Sequence, residues 1–192
     1  MTETPPPRRL VVGISGASGV IYGVRALEML RASGIETHLV MSRAAQITLA
    51  HETDLKVAAV EALADKVYRA DDIGAAVSSG SFKTMGMLVA PCSIRSLSEI
   101  ATGVTSTLLP RAADVALKER RRVVLLVRES PLHAGHLRSM LAVTEMGAIV
   151  APPVPAFYAR PDSLDAMVEH TVVRALDLFG IEAGKINRWG GG

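Results

Sequence analysis

The apolar positions of this chain follow two alternating rhythms. Short runs of Val, Leu, Ile and Met start at Leu10 and recur over residues 36–41, 84–90, 122–127 and 148–150. Each is of strand length, and the apolar run over 122–127 predicts a strand buried on both faces, as in a parallel sheet. Between them the spacing becomes helical. Residues 20–33 place Val24, Leu27 and Leu30 on one side and stop at Gly34. Residues 44–49 predict a short helix, and Asp54 is placed to cap another over 55–64. Helices follow over 93–101, over 111–120 with Pro110 in the opening turn, over 137–146 ending at Gly147, and over 164–179 behind a Ser163 cap. Residues 73–84 read as a loop, and Pro152-Pro-Val-Pro155 forces an extended segment. No internal repeat is present.

Strands alternating with helices predict an α/β fold: one doubly wound parallel sheet in a Rossmann/flavodoxin-like three-layer sandwich. In such sheets ligands bind outside the carboxyl ends of the strands. The strand ends here carry Ser15 to Gly19, Ser42, Cys92 to Ser96, Arg128-Glu129, and the segment from Pro153 to Tyr158. These hydroxyls, two arginines and one glutamate suit a phosphate and a proton-transfer group.

The first strand end is the most informative. Leu10-Val-Val-Gly-Ile-Ser-Gly-Ala-Ser-Gly-Val20 runs from a β-branched strand through Gly13, Gly16 and Gly19 into a helix. A helix N-terminus opened by glycines offers unpaired N–H groups and partial positive charge, the elements of an anion site. Ser15 and Ser18 are expected to add hydroxyl donors. The spacing is not that of the dinucleotide fingerprint G-x-G-x-x-G. The next strand ends at Ser42 rather than an acidic residue, which favours a mononucleotide over NAD. The esterase elbow fails too, because Ala17 stands where its second glycine belongs. The plainer alternative is a strand–turn–helix without a ligand.

Composition narrows the classes. The chain of 192 residues is 49% hydrophobic, enough for one domain with a substantial core. A net charge of +2, from 21 basic and 19 acidic residues, gives no global field toward nucleic acid or an anionic membrane. The lone Cys92 rules out an intramolecular disulfide and fits a reducing, cytoplasmic setting. The proline-rich start has no secretory pattern, and no apolar run approaches the ~20 residues that span a bilayer. Residues 1–8 are expected to form a flexible tail and 9–192 a single domain.

Several residues carry two readings. Glu129 follows an apolar strand and is either a proton-transfer group or one half of an ion pair with Arg128 or Lys118. Glu52 alone reads as a helix-end surface residue. Arg111, Asp114 and Lys118 share one helix face, a solvated stripe unless a neighbouring subunit brings it to a ligand. Arg174 otherwise belongs to the polar face of the last helix. Cys92 is a nucleophile or a small buried thiol, and Trp189 a pocket aromatic or a core plug. His133 and His136 are three apart but lie outside a clear helix, and His38, His51 and His170 share no spacing with them, so no metal is expected. Asp71-Asp72 has no acidic partner one turn on and reads as a cap or solvated loop.

Taken together, these motifs resemble one family. Gly13-Ile-Ser-Gly-Ala-Ser-Gly19, Glu52-Thr-Asp54, Ser79-Gly-Ser-Phe82, Pro91-Cys-Ser93, Arg111-Ala-Ala-Asp-Val115 with Leu117-Lys-Glu-Arg120, Arg128-Glu129, Pro152-Pro-Val-Pro-Ala-Phe-Tyr158 and Arg188-Trp189 resemble the flavin prenyltransferases (UbiX-like; aryl-acid decarboxylase companion proteins). The resemblance spans Arg9 to Trp189. It implies metal-independent alkylation of reduced FMN at N5 by dimethylallyl phosphate, then ring closure at C6. The prenylated FMN formed would serve a UbiD-like decarboxylase. It also implies a homo-oligomer, a dodecamer with the site between subunits.

Residue by residue, the resemblance assigns Gly16, Ala17, Ser18, Ser42, Ser93, Ile94, Arg95, Ser96 and Arg128 to FMN. It assigns Lys118, Tyr158 and Arg174 to the prenyl phosphate, with Arg111 as further support. Glu52 and Glu129 become the acid–base pair, Ser18 the hydroxyl near the flavin N5, and Trp189 an aromatic packed over the prenyl group or flavin. Two other readings remain: an FMN carrier or structural subunit of a decarboxylase complex, and an FMN-dependent cysteine decarboxylase. The second lacks support here, because the chain has neither the Pro-Ala-Ser-Ala-Asn-Thr loop nor the catalytic histidine of that group.

Overall fold

The computed structural model describes residues 8–184. Six parallel strands form one sheet in the order β3-β2-β1-β4-β5-β6. They are β1 (Arg9–Ile14), β2 (Glu36–Met41), β3 (Lys66–Tyr68), β4 (Gly86–Cys92), β5 (Arg122–Val127) and β6 (Ile149–Val150). The chain winds outward from β1 on one side and from β4 on the other. The order therefore reverses between β1 and β4, which makes their carboxyl ends the switch point where a ligand is held.

Among the described residues seven α-helices cover the two faces: α1 (Val20–Ala32), α2 (Arg43–Glu52), α3 (Val57–Glu61), α4 (Ile94–Thr102), α5 (Leu108–Lys118), α6 (Ala134–Glu145) and α7 (Leu164–Asp177). Strand residues alternate between two apolar cores. Leu10, Val12 and Ile14 face Val24, Leu27 and Leu176 on one side. Val11, Met87 and Val89 face Leu97, Leu109 and Ala113 on the other. The three layers expected from the strand–helix alternation are present.

The differences from the sequence expectations are local. Strand β3 was unanticipated: its three residues are mostly exposed and carry too little apolar pattern to read. Tertiary hydrogen bonds secure it instead. Asp65 Oδ2 accepts from Thr37 N at 2.8 Å and Thr37 Oγ1 at 3.0 Å, which ties the start of β3 to β2.

Helix α2 runs on to Glu52, three residues past its expected end, and α3 starts at Val57 with Lys56, not Asp54, at its N-cap. Strand β4 starts at Gly86 and continues through Pro91 to Cys92 behind an irregularity in its pairing with β5. Helix α5 begins at Leu108, so Pro110 lies inside its first turn. Helix α6 begins at Ala134, because His133 Nδ1 accepts the Gly135 N–H and caps it. That histidine, expected outside a helix, starts one, and its ring stacks on His136 with 3.6 Å between centroids. Ser163 caps α7 as expected, by accepting from Ala166 N.

Candidate functional site

The carboxyl ends of β1, β2, β4 and β5 meet through backbone hydrogen bonds. Ser42 N donates to Ile14 O at 2.9 Å, Ser15 N to Pro91 O at 3.2 Å, and Arg128 N to Cys92 O at 3.0 Å. Residues 16–19, 42, 93–96 and 128, scattered through the chain, thus share one rim.

Two helices open on that rim behind serine caps. Ser42 Oγ accepts from Ala45 N at 3.1 Å and Ser93 Oγ from Ser96 N at 3.2 Å. The remaining first-turn N–H groups of α2 and α4, which include those of Ile94 and Arg95, carry the positive ends of the helix dipoles toward the rim. The Arg95 guanidinium itself pairs with Glu99 at 2.9 Å and is 78% exposed. Ser96 is buried and accepts from Ser93 Oγ.

The N-terminus of α1, expected to be the anion site, is already taken. Glu52 Oε2 accepts from Gly19 N at 2.8 Å and from Val20 N at 3.2 Å. Extension of α2 by one turn carries Glu52 there, which the local pattern around His51 did not reveal. The glycine requirement at position 19 is conformational: φ is +99°, and a Cβ would meet the Tyr22 ring at 2.9 Å. Ser15 also departs from expectation. Its hydroxyl is fully buried, donates to Pro91 O and accepts from Ser93 N, so it does not face a ligand.

A cavity of about 510 Å³ opens between α1, the end of α2 and the start of α7, lined by Ser18, Gly19, Tyr22, Glu52, Arg128 and Asp165 among others. Of these, Tyr22 and Asp165 were not singled out from the sequence. Tyr22 could have been, as a rare aromatic one turn past the last glycine. Burial raises the Tyr22 phenol above its ordinary pKa, against a smaller lowering by the Arg128 charge. Glu129 is exposed beside Arg128, and its Oε1 accepts the Ser130 N–H at 3.0 Å.

Tyr158 and Arg174 are far apart in sequence but line a second cavity of about 270 Å³. Pro153 borders the first cavity and its neighbours Pro152 and Val154 the second, so one extended segment separates the two. Arg174 Nη1 pairs with Asp177 at 2.7 Å. His170, 8% exposed, lies between Tyr158 and the core, with its ring edge-on to Tyr158 at 5.8 Å; its buried Nε2 has no hydrogen-bond partner among the described residues.

Arg111 and Lys118 lie elsewhere. Arg111 pairs with Asp114 and donates to Ser78 O, whereas Lys118 pairs with Glu119 in the last turn of α5. A single copy of the chain does not bring them to Tyr158 and Arg174. Trp189 lies outside the described residues. Among those residues no group of three or more His, Cys, Asp or Glu is close enough to hold a metal ion. Burial pushes the Cys92 thiol up to about 12, which removes it as a nucleophile.

The rim fits a flavin mononucleotide: the N-terminal N–H groups of α2 and α4 and the Ser42 hydroxyl offer donors for a phosphate monoester, and the Arg128 guanidinium has no ion-pair partner among the described residues. Comparison with known proteins agrees. The Flavoprotein family model matches residues 2–175. The chain is 60% identical over 175 residues to the flavin prenyltransferase UbiX of Escherichia coli K12, an alignment covering 91% of this chain and 93% of that one. It superposes on the crystal structure of AnUbiX (PadA1) in complex with FMN and dimethylallyl pyrophosphate with a TM-score of 0.95, 48% identity, and coverage of 97% of this chain and 100% of that one. It also matches a dodecameric FMN-dependent UbiX-like decarboxylase from Escherichia coli O157:H7, with a TM-score of 0.93, 47% identity, and coverage of 95% and 100%. The chain belongs to the UbiX flavin prenyltransferase family of flavoproteins.

Proposed function

We propose that this protein transfers a dimethylallyl group from dimethylallyl phosphate to reduced FMN without a metal, alkylating N5 and closing a ring at C6 to give prenylated FMN. The observation that carries this reading is the convergence of Ser18, Glu52 and Arg128 on one cavity at the β1/β4 switch point, beside the Tyr158–Arg174 cavity. When bound, reduced FMN supplies an electron-rich N5 and C6.

The chain's own residues divide the remaining work. Gly16, Ala17, Ser42, the turn from Ser93 to Ser96, and Arg128 hold the flavin and its phosphate. Tyr158 and Arg174 hold the prenyl phosphate. As the allylic C–O bond breaks, the phosphate leaves with the electron pair, and cationic donors stabilise its growing charge. Ring closure is an isomerisation: one proton leaves C6 and one is delivered to the prenyl alkene. Glu129 and Glu52 are carboxylates suited to hold and move that proton. Ser18 provides a hydroxyl toward N5; the aromatic expected to exclude water, Trp189, lies outside the described residues.

Arg111 and Lys118 enter this scheme only from a neighbouring copy, and the dodecameric relative supports such an assembly. We further infer that residues 9–192 act as one flavin-binding domain, that the reaction is cytoplasmic, and that a UbiD-like decarboxylase receives the product; the tail expected at 1–8 lies, Arg8 apart, outside the described residues. No described helix is long and apolar enough to cross a membrane.

The test is an anaerobic incubation of the purified protein with reduced FMN and either dimethylallyl phosphate or the pyrophosphate that the solved relative holds. The flavin is then extracted and weighed. A protein-dependent gain of one five-carbon prenyl unit supports the transferase. Unchanged FMN on a folded, flavin-loaded protein would leave a carrier or structural subunit as the better reading.

A further inference from the structure

We propose that Ser15 is a positioning residue that fixes the distance between the two turns holding the flavin; the assignment rests on the functional reading above. The residue sits at the end of β1, on the switch point, and is 0% exposed. Its Oγ donates to Pro91 O at 2.8 Å and accepts from Ser93 N at 2.7 Å.

A side chain here must donate and accept at once within reach of its own strand, and a hydroxyl is the smallest group that does so. On one side of it lies the turn from Gly16 to Gly19, which carries Ser18. On the other lies the start of α4, where Ser93 Oγ accepts from Ser96 N and donates to Ser96 Oγ, both at 3.2 Å. The neighbouring Cys92 carbonyl receives Arg128 N at 3.0 Å, so the β5 end is tied to the same turn. One buried hydroxyl thus joins the end of β1 to the turn before α4, to which β5 is tied by its own backbone bond, while touching no ligand itself. Without it, Ser93 N–H loses its partner in a half-buried setting, and the turn must shift or admit water to satisfy it.

The experiment compares the wild type, Ser15→Ala, Ser15→Cys and Ser15→Thr. FMN affinity is measured by fluorescence quenching, along with the absorption spectrum of the bound flavin and the melting temperature. Ser15→Ala is expected to weaken FMN by about 10-fold, the effect of one lost hydrogen bond at the pocket wall, and to shift the bound-flavin spectrum. Ser15→Thr, which keeps the hydroxyl, is expected to restore both. Ser15→Cys retains bulk while losing the short hydrogen bonds, so it reports the same loss if the alanine variant fails to fold. Wild-type affinity and spectrum in Ser15→Ala or Ser15→Cys, with at most a lower melting temperature, would overturn the assignment and leave Ser15 a stability element. Failure of the wild type itself to bind FMN would overturn the functional reading, and this inference with it.

Discussion

Glu52 Oε2 accepts the backbone N–H of Gly19 at 2.8 Å, 33 residues earlier in the chain. The carboxylate caps α1 from outside, on the positive end of the helix dipole, while its other oxygen, Oε1, takes no hydrogen bond among the described residues. The residue assigned to acid–base chemistry is thereby fixed by one oxygen and left free at the other. Glu52→Ala should destabilise the fold by about 1 kcal/mol, the ordinary cost of a lost N-cap. Glu52→Gln, which keeps an acceptor, should cost less. Chemical denaturation of the three proteins checks the order, and equal stability of all three would remove the capping role.

Asp65 sets an acid dependence. Hydrogen bonds from Thr37, the backbone one foremost, hold its carboxyl below the ordinary carboxylate range against a smaller opposing effect of burial. A depressed folded-state pKa contributes stability that is present above the unfolded value, about 3.9, and is lost as pH falls through the folded value. Asp65→Asn should be less stable than the wild type at pH 7, with the gap closing below about pH 4. Melting curves from pH 3 to 7 check this; a constant gap would discount the Thr37–Asp65 link.

Cys92 should be silent in the native protein. Its thiol is fully buried and pushed up to about 12. At pH 8 an aromatic disulfide reagent should titrate no thiol until denaturant is added, and then one. Rapid native labelling would show that β4 opens at its carboxyl end.

Arg174 and Glu129 should separate binding from chemistry. Arg174→Ala should raise the KM for dimethylallyl phosphate about 10-fold or more, as expected for a lost charge-assisted hydrogen bond, and leave FMN affinity alone. Equal loss of both ligands would count against its phosphate role. Glu129→Gln should bind FMN normally but stall before ring closure, which normal ring-closed product from the variant would contradict.

Nε2 of His170 is a buried polar atom without a hydrogen bond among the described residues. His170→Phe keeps a ring against Tyr158 and removes the unsatisfied nitrogen. It should raise stability by about 1 kcal/mol, since an orphaned buried polar group costs about 1–3 kcal/mol. A lower melting temperature would mean that the imidazole has a partner in the assembled protein.

The sequence by itself determined the sheet class, the strands β1, β2, β4, β5 and β6, the Ser163 cap and the glycine turn. Each depends on neighbours within a few residues: apolar runs, helical spacing, a hydroxyl before a helix, or the left-handed φ of +99° at Gly19. Motif resemblance added the family and the roles proposed for residues that no local pattern connects. Only the tertiary structure decided who meets whom. It put Glu52 on the α1 N-terminus where an outside anion was expected, buried Ser15 between two loops, and secured β3 through Asp65 and Thr37. It gathered Tyr158 and Arg174 into one cavity and left Arg111 and Lys118 outside it. These outcomes were illegible along the chain because they rest on hydrogen bonds and packing between segments tens of residues apart. Such contacts leave no periodicity in the sequence, and they form only when the parallel sheet brings its strand ends together.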